Sequence, residues 1–139
     1  MSLYRQIWRP TADTVNTALA TYLRPDLIEM GYTIEKVSYP RGYDKRLVFI
    51  DKDGELISIP DYTDNHNLPR IRELWQTHIK PYPHRALGYY QGLVELVTHD
   101  EDGNYIFGVN VFDEVTNASA HDRALALYHT LITGSGTKI

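Results

Sequence analysis

Leu93-Val-Glu-Leu-Val-Thr-His-Asp-Glu-Asp-Gly103, followed by Tyr105-Ile-Phe-Gly-Val-Asn-Val-Phe112 and by Ala118-Ser-Ala-His-Asp-Arg-Ala-Leu-Ala-Leu-Tyr-His-Thr-Leu-Ile132, is the stretch on which the fold turns. It reads as an apolar run, an acidic turn, a second apolar run, a polar break at Thr116–Ser119 and an amphipathic helix. A shorter version stands earlier, over Leu47–Ile79: Asp51-Lys-Asp-Gly54 answers Asp100-Glu-Asp-Gly103, and Thr63-Asp-Asn65 answers Thr116-Asn117. Arg70, Leu74, Trp75, Thr77 and Ile79 fall at the spacing of Arg123, Leu127, Tyr128, Thr130 and Ile132. A Tyr-Pro pair, Tyr39-Pro40 or Tyr82-Pro83, precedes each copy. The expectation is an internal duplication of a ββα unit.

Working outward, the flanking segments complete an α-βββ-α-ββ-α order. Thr11 with Asp13 starts a first helix whose buried stripe is Val15, Ala18, Leu19, Tyr22 and Leu23. Pro25 interrupts it, because proline disfavours helical geometry at Arg24, and Gly31 can close the short turn that follows. Thr33–Tyr39 alternates as a half-exposed edge strand, and Pro60 ends the first hairpin. A second helix begins near Asn67 and Pro69 and stops before Pro81; a third is capped by Ser119 with Asp122. Lys80–Gly92 reads as a long irregular link, and Leu93–Thr98 with Tyr105–Phe112 as the second hairpin. The fold class is therefore α+β: one mostly antiparallel sheet of about five strands packed by helices, in a single domain over residues 1–139. The same element order occurs in small acidic dimeric secretion chaperones, an analogy of fold alone.

Composition narrows the function classes. At 42% hydrophobic and 23% charged residues, the chain is an ordinary globular one. The absence of cysteine removes disulfide frameworks, thiolate zinc sites and cysteine nucleophiles. No segment approaches the roughly 20 apolar residues of a membrane helix, and Met1–Pro10 lacks the apolar core of a signal peptide. A cytoplasmic protein with no membrane partner is the expectation. The net charge of −4 disfavours broad polyanion binding. It is unevenly divided, because residues 1–50 hold seven Lys/Arg against five Asp/Glu. Eleven tyrosines raise the odds of a binding surface, since tyrosine couples large contact area to a polar tip.

The chemistry-bearing motifs are mostly missing. The Asp-x-Asp-Gly turns lack the third acid and bidentate glutamate of a calcium loop, so they read as hairpin turns. Gly-x-Ser-x-Gly, Walker A and Gly-x-Gly-x-x-Gly patterns are absent. His121 and His129 lie two helical turns apart, about 12 Å, too far to share an ion, and are read as flanking a surface stripe. Arg70 and Arg123, equivalent under the repeat, are read as structural or solubilising cations.

Two clusters combine aromatics with cations: Tyr39, Arg41, Tyr43 and Arg46, and Tyr82, His84, Arg85, Tyr89 and Tyr90. They are the candidate ligand- or partner-binding residues. The leading expectation is a non-enzymatic protein-binding module, of adaptor, chaperone or inhibitor type and homodimeric, acting through these loops or the sheet face. It has no cofactor, no metal and no catalytic residue. One alternative is a nucleotide or short nucleic-acid binder using Arg41, Arg46, Arg85 and the tyrosines. A second is a small metal-dependent hydrolase using Asp61, Asp64 and His66.

Overall fold

Residues 3–38 and 45–134 are described by the computed structural model. Their helices are α1 (Leu3–Trp8), α2 (Ala12–Leu23), α3 (Pro25–Glu29), α4 (Leu68–His78), α5 (Pro83–Thr98), α6 (Val111–Thr116) and α7 (Ala120–Tyr128). A 3₁₀ turn over Asn65–Asn67 precedes α4, and α7 runs on into a π-helical turn over His129–Thr133. The strands are β1 (Thr33–Ser38), β2 (Lys45–Ile50) and β3 (Leu56–Ser58).

Local chemistry explains the first half. The Thr11 hydroxyl accepts from the Thr14 amide at 3.2 Å and opens α2. Pro25 ends that helix and sits in the first turn of α3, where its missing N–H costs nothing. Gly31, at φ +97°, then turns the chain into β1. The strands form one antiparallel sheet in the order β1-β2-β3, with Thr33 opposite Ile50 and Ser38 opposite Lys45. Asp51 shapes the β2-β3 turn, its Oδ1 accepting from the amides of Asp53 at 3.0 Å and Glu55 at 2.8 Å. Ile34, Phe49 and Ile57 lie directly across from one another, so one sheet face is apolar. That face packs with Ala20, Leu27, Tyr32 and Ile59 into a small core. Burying a side chain such as Phe49 contributes about 1.5–3 kcal/mol.

The larger core is helical. Val15 and Leu19 of α2 meet Ile71 of α4, Leu93 and Leu96 of α5, and Leu125 and Leu127 of α7. Helix α2 thus serves both cores, through Val15 and Leu19 on one side and Ala20 on the other.

The described sheet has three strands, so the expectation of about five is corrected, and with it the ββα duplication and the analogy of element order. Leu93–Thr98 is the last part of α5, and Tyr105–Phe112 is irregular chain entering α6. Only a single antiparallel bridge, His99 to Tyr105, spans the second acidic turn. Tyr89, Leu93, Leu96 and Val97 are the buried line of one helix, with Gly88 and Gly92 buried as well. Burial on so broad a face erases the polar alternation that marks a helix, and a short valine-rich run then looks like a strand. Pro83, read as a loop residue, lies in the first turn of α5, where proline is tolerated. Downstream, Gly108 at φ +82° breaks any extended run, and Asn110 Oδ1 caps α6 by accepting from the Asp113 amide at 3.2 Å.

The N-terminal segment is pinned to the helical core through Arg9 and Trp8. Arg9 Nη2 donates to the carbonyls of Leu96 at 2.7 Å and His99 at 3.1 Å, while Nη1 reaches Asp122 Oδ1 at 3.4 Å. His129, 1% exposed, lies under the Trp8 ring at 4.6 Å between centroids, with Nε2 3.0 Å from the Trp8 carbonyl. A carbonyl only accepts, so Nε2 carries the proton. The expectation of a surface stripe for His121 and His129 is therefore corrected: His121 is exposed and His129 is core. Among the described residues, no helix is long and apolar enough to cross a membrane.

Burial lowers the His129 pKa below its ordinary value of about 6.5, partly offset by the hydrogen bond to Trp8. The unfolded chain then takes up a proton that the folded chain resists. The His129 contribution is complete above about pH 6.5 and is lost as pH falls toward the folded pKa. Thermal midpoints measured from about pH 7.5 to about pH 5 should fall, and His129→Gln should flatten that slope.

Candidate functional site

Helices α4 and α5 enclose a groove of about 380 Å³. From α4 come Ile71 and Trp75, one turn apart, and from α5 come Ala86, Tyr89 and Leu93 on one stripe with Tyr90 beside it. Val115 of α6 closes one end, and the charged lining residues are Arg72 and Arg123. Burial raises the Tyr89 phenol above its usual pKa, against the opposing pull of the adjacent Arg123 charge. Arg123 is already engaged: Nε donates to the Ala118 carbonyl at 2.9 Å, and Nη2 to those of Thr116 at 3.0 Å and Val115 at 3.3 Å. Arg72 is exposed at the rim. Along the outer side of α5, Tyr82, Leu87 and Tyr90 are 50%, 45% and 51% exposed.

Six of the nine sequence-predicted residues are described. Tyr39, Arg41 and Tyr43 lie outside the described residues. Arg46 stands on β2, exposed, lining a different and more polar cavity with Lys36, Lys45 and Arg70. Tyr82, His84, Arg85, Tyr89 and Tyr90 belong to the start and first half of α5 rather than to a loop, which corrects the expected link over Lys80–Gly92. Tyr82 stacks under the Arg85 guanidinium at 4.6 Å, and Arg85 Nη1 donates to the His78 carbonyl at 3.0 Å, closing the end of α4. His84 is exposed. Of the six proposed residues that are described, only Tyr89 and Tyr90 meet at the groove. Arg46, the described member of the first aromatic-cation cluster, lines a different cavity from Tyr89 and Tyr90.

The Asp61–Asn67 loop is organised by its own backbone. Asp61 Oδ1 accepts from Asn16 Nδ2 at 2.9 Å, the Thr63 amide at 3.0 Å and the Thr63 hydroxyl at 2.6 Å. Partial burial works against its charge, but those hydrogen bonds prevail and hold the carboxyl below its usual pKa. The His66 amide and ring do the same for Asp64. Among the described residues, no three His, Cys, Asp or Glu side chains are grouped to hold a metal ion.

Sequence reasoning passed over an exposed aromatic arm. Phe107 and Phe112 are 86% and 76% exposed, and Tyr105 stands edge-on between His99 and Phe107. The signal was present in Tyr105-Ile-Phe107, but a strand assignment had already buried it. The chain matches no known family model, no curated protein and no solved structure.

Tyr89 and Tyr90, neighbours in sequence, should behave oppositely. Tyr89→Ala empties a buried ring position and should cost about 3–5 kcal/mol, whereas Tyr90→Ala should stay within about 0.5 kcal/mol of the parent. Urea denaturation of the two variants checks which face of α5 is solvent-facing.

Proposed function

We propose that this chain is a cytoplasmic, non-enzymatic protein-binding module whose groove between α4 and α5 takes an apolar helical segment of a partner. The observation that supports the reading is the exposed apolar groove itself: Trp75, Tyr89 and Tyr90 surround about 380 Å³, room for anchor side chains rather than for a whole helix. Recognition of this kind uses apolar anchors at i, i+3 or i+4 and i+7 of the incoming helix. Its charged lining residues are both arginines, and with Arg123 holding the end of α6, Arg72 selects an acidic residue beside those anchors. Tyrosine and tryptophan are the side chains that most often dominate such interfaces.

Self-association belongs to the same proposal, supported by Phe107 and Phe112, large rings left in water on the arm. Nucleotide binding through stacked tyrosines has less support, because Tyr82, Tyr89 and Tyr90 lie on α5 while Arg46 lines the other cavity.

The test uses random helical peptides selected on the full chain, with an anionic apolar dye as competitor. Selected peptides should carry an i, i+4 apolar pair and an acidic residue and should displace the dye. They should weaken by about 10- to 100-fold on Tyr90→Glu and by less on Arg72→Ala. Peptides that bind unaffected by Tyr90→Glu would remove the groove from the proposal. In parallel, sedimentation velocity of the parent and of Phe107→Asp reports self-association; a parent that stays monomeric at all concentrations removes that part.

A further inference from the structure

The second cavity, about 990 Å³, opens between the start of α2, the second half of β1, the start of β2, the end of β3 with the loop after it, and the first turn of α4. Its chemistry is two-sided. Lys45 and Arg46 from β2 and Arg70 from α4 line it, and among the described residues no carboxylate lies within ion-pair distance of any of them. Lys36 is different, since Asp13 neutralises it at 2.8 Å. Asp61 and Asp64 also line the cavity. Every hydrogen bond that these two carboxylates accept from described residues lands on Oδ1, which leaves each Oδ2 open toward described residues as an acceptor. Asn16, 4% exposed, donates to Asp61 Oδ1 and accepts from the Tyr62 amide at 2.9 Å, so the carboxylate is held in place by a buried partner.

A ligand that satisfies both sides needs a dianionic group for the three cations and hydroxyl donors for the two carboxylates. Among the described residues, the lining includes no aromatic ring on which a base could stack. Its size falls within the range of about 300–1,000 Å³ typical of small-molecule sites. We propose that this cavity binds a phosphorylated, hydroxyl-rich small molecule, with Lys45, Arg46 and Arg70 on the phosphate and Oδ2 of Asp61 and Asp64 accepting from hydroxyls. The site is separate from the apolar groove, and neither depends on the other.

Isothermal titration of the full chain with ribose 5-phosphate, ribose, inorganic phosphate and adenosine monophosphate tests the assignment. Ribose 5-phosphate should bind more tightly than either of its halves, and more weakly as salt is raised. Arg46→Ala and Arg70→Ala, both at exposed positions, should each weaken it by about tenfold or more, while Arg72→Ala on the other groove leaves it unchanged. Asp64→Asn keeps the Oδ1 acceptor and removes Oδ2, so it should weaken ribose 5-phosphate but not inorganic phosphate. No binding of ribose 5-phosphate overturns the proposal. So does inorganic phosphate binding as tightly as the sugar phosphate, or adenosine monophosphate binding far more tightly than both.

Discussion

Three helices that end without a glycine after the cap, α4, α5 and α6, are each closed by an arginine from elsewhere in the chain. Arg85 reaches back to the last carbonyl of α4, Arg9 takes Leu96 and His99 at the end of α5, and Arg123 takes Val115, Thr116 and Ala118 around the end of α6. The last turn of any helix leaves carbonyls without internal partners, and those ends carry partial negative charge. A guanidinium meets both needs at once, with up to five donors and a fixed positive charge. Each contact is also a tertiary tie, so it positions one element against another. Removing any of the three would leave partly buried carbonyls unsatisfied and two elements less firmly joined.

Arg9 has the widest consequences. By ending α5 at Thr98 it turns the second acidic segment outward, where Asp100 builds the same turn as Asp51: its Oδ1 accepts from the amides of Asp102 and Asn104, both at 2.9 Å. The two turns share their hydrogen bonds and the positive φ of their glycines, +83° at Gly54 and +88° at Gly103. Their surroundings differ. Gly54 faces open space, whereas a Cβ on Gly103 would meet the Tyr4 ring at 2.8 Å, and Arg5 pairs with Glu101 beside it at 3.1 Å. The second turn is thus a docking point for α1, and its chain continues into the exposed arm instead of a paired strand.

That contrast shows how much was legible in the sequence. Features decided within four or five residues were readable: the Thr11 and Ser119 caps, the Pro25 break with Gly31, the Asp51 hairpin and both ends of α4. The repeat in sequence was real at the level of the turn, because an Asp-x-Asp-Gly segment folds by its own side-chain-to-backbone bonds. It failed one level up, where the conformation of Leu93–Thr98 is set by burial against α7 and by Arg9 from the far end of the chain. No local pattern encodes either. The candidate site was readable only in composition: a surplus of tyrosines was visible, but whether Tyr89 and Tyr90 pointed inward or outward depended on knowing that they were helical.

Helix α4 places the two cavities on opposite sides of one wall. Arg70 and Arg72 are two residues apart, about 200° around a helix, so the first lines the polar cavity and the second the apolar groove, with Ile71 facing the groove between them. The wall is fixed at both ends. Asn67 Nδ2 donates to the Asp61 carbonyl at 2.8 Å and Asn65 Oδ1 accepts from the first amide of α7 at 2.9 Å, while Arg85 holds the other end. Opposed chemistry across so short a distance needs such rigidity, because a small rotation of α4 would carry Arg70 toward the apolar side and Ile71 toward water. The capping contacts therefore do more than complete the helix: they keep a cationic cavity and an aromatic groove distinct on either side of α4.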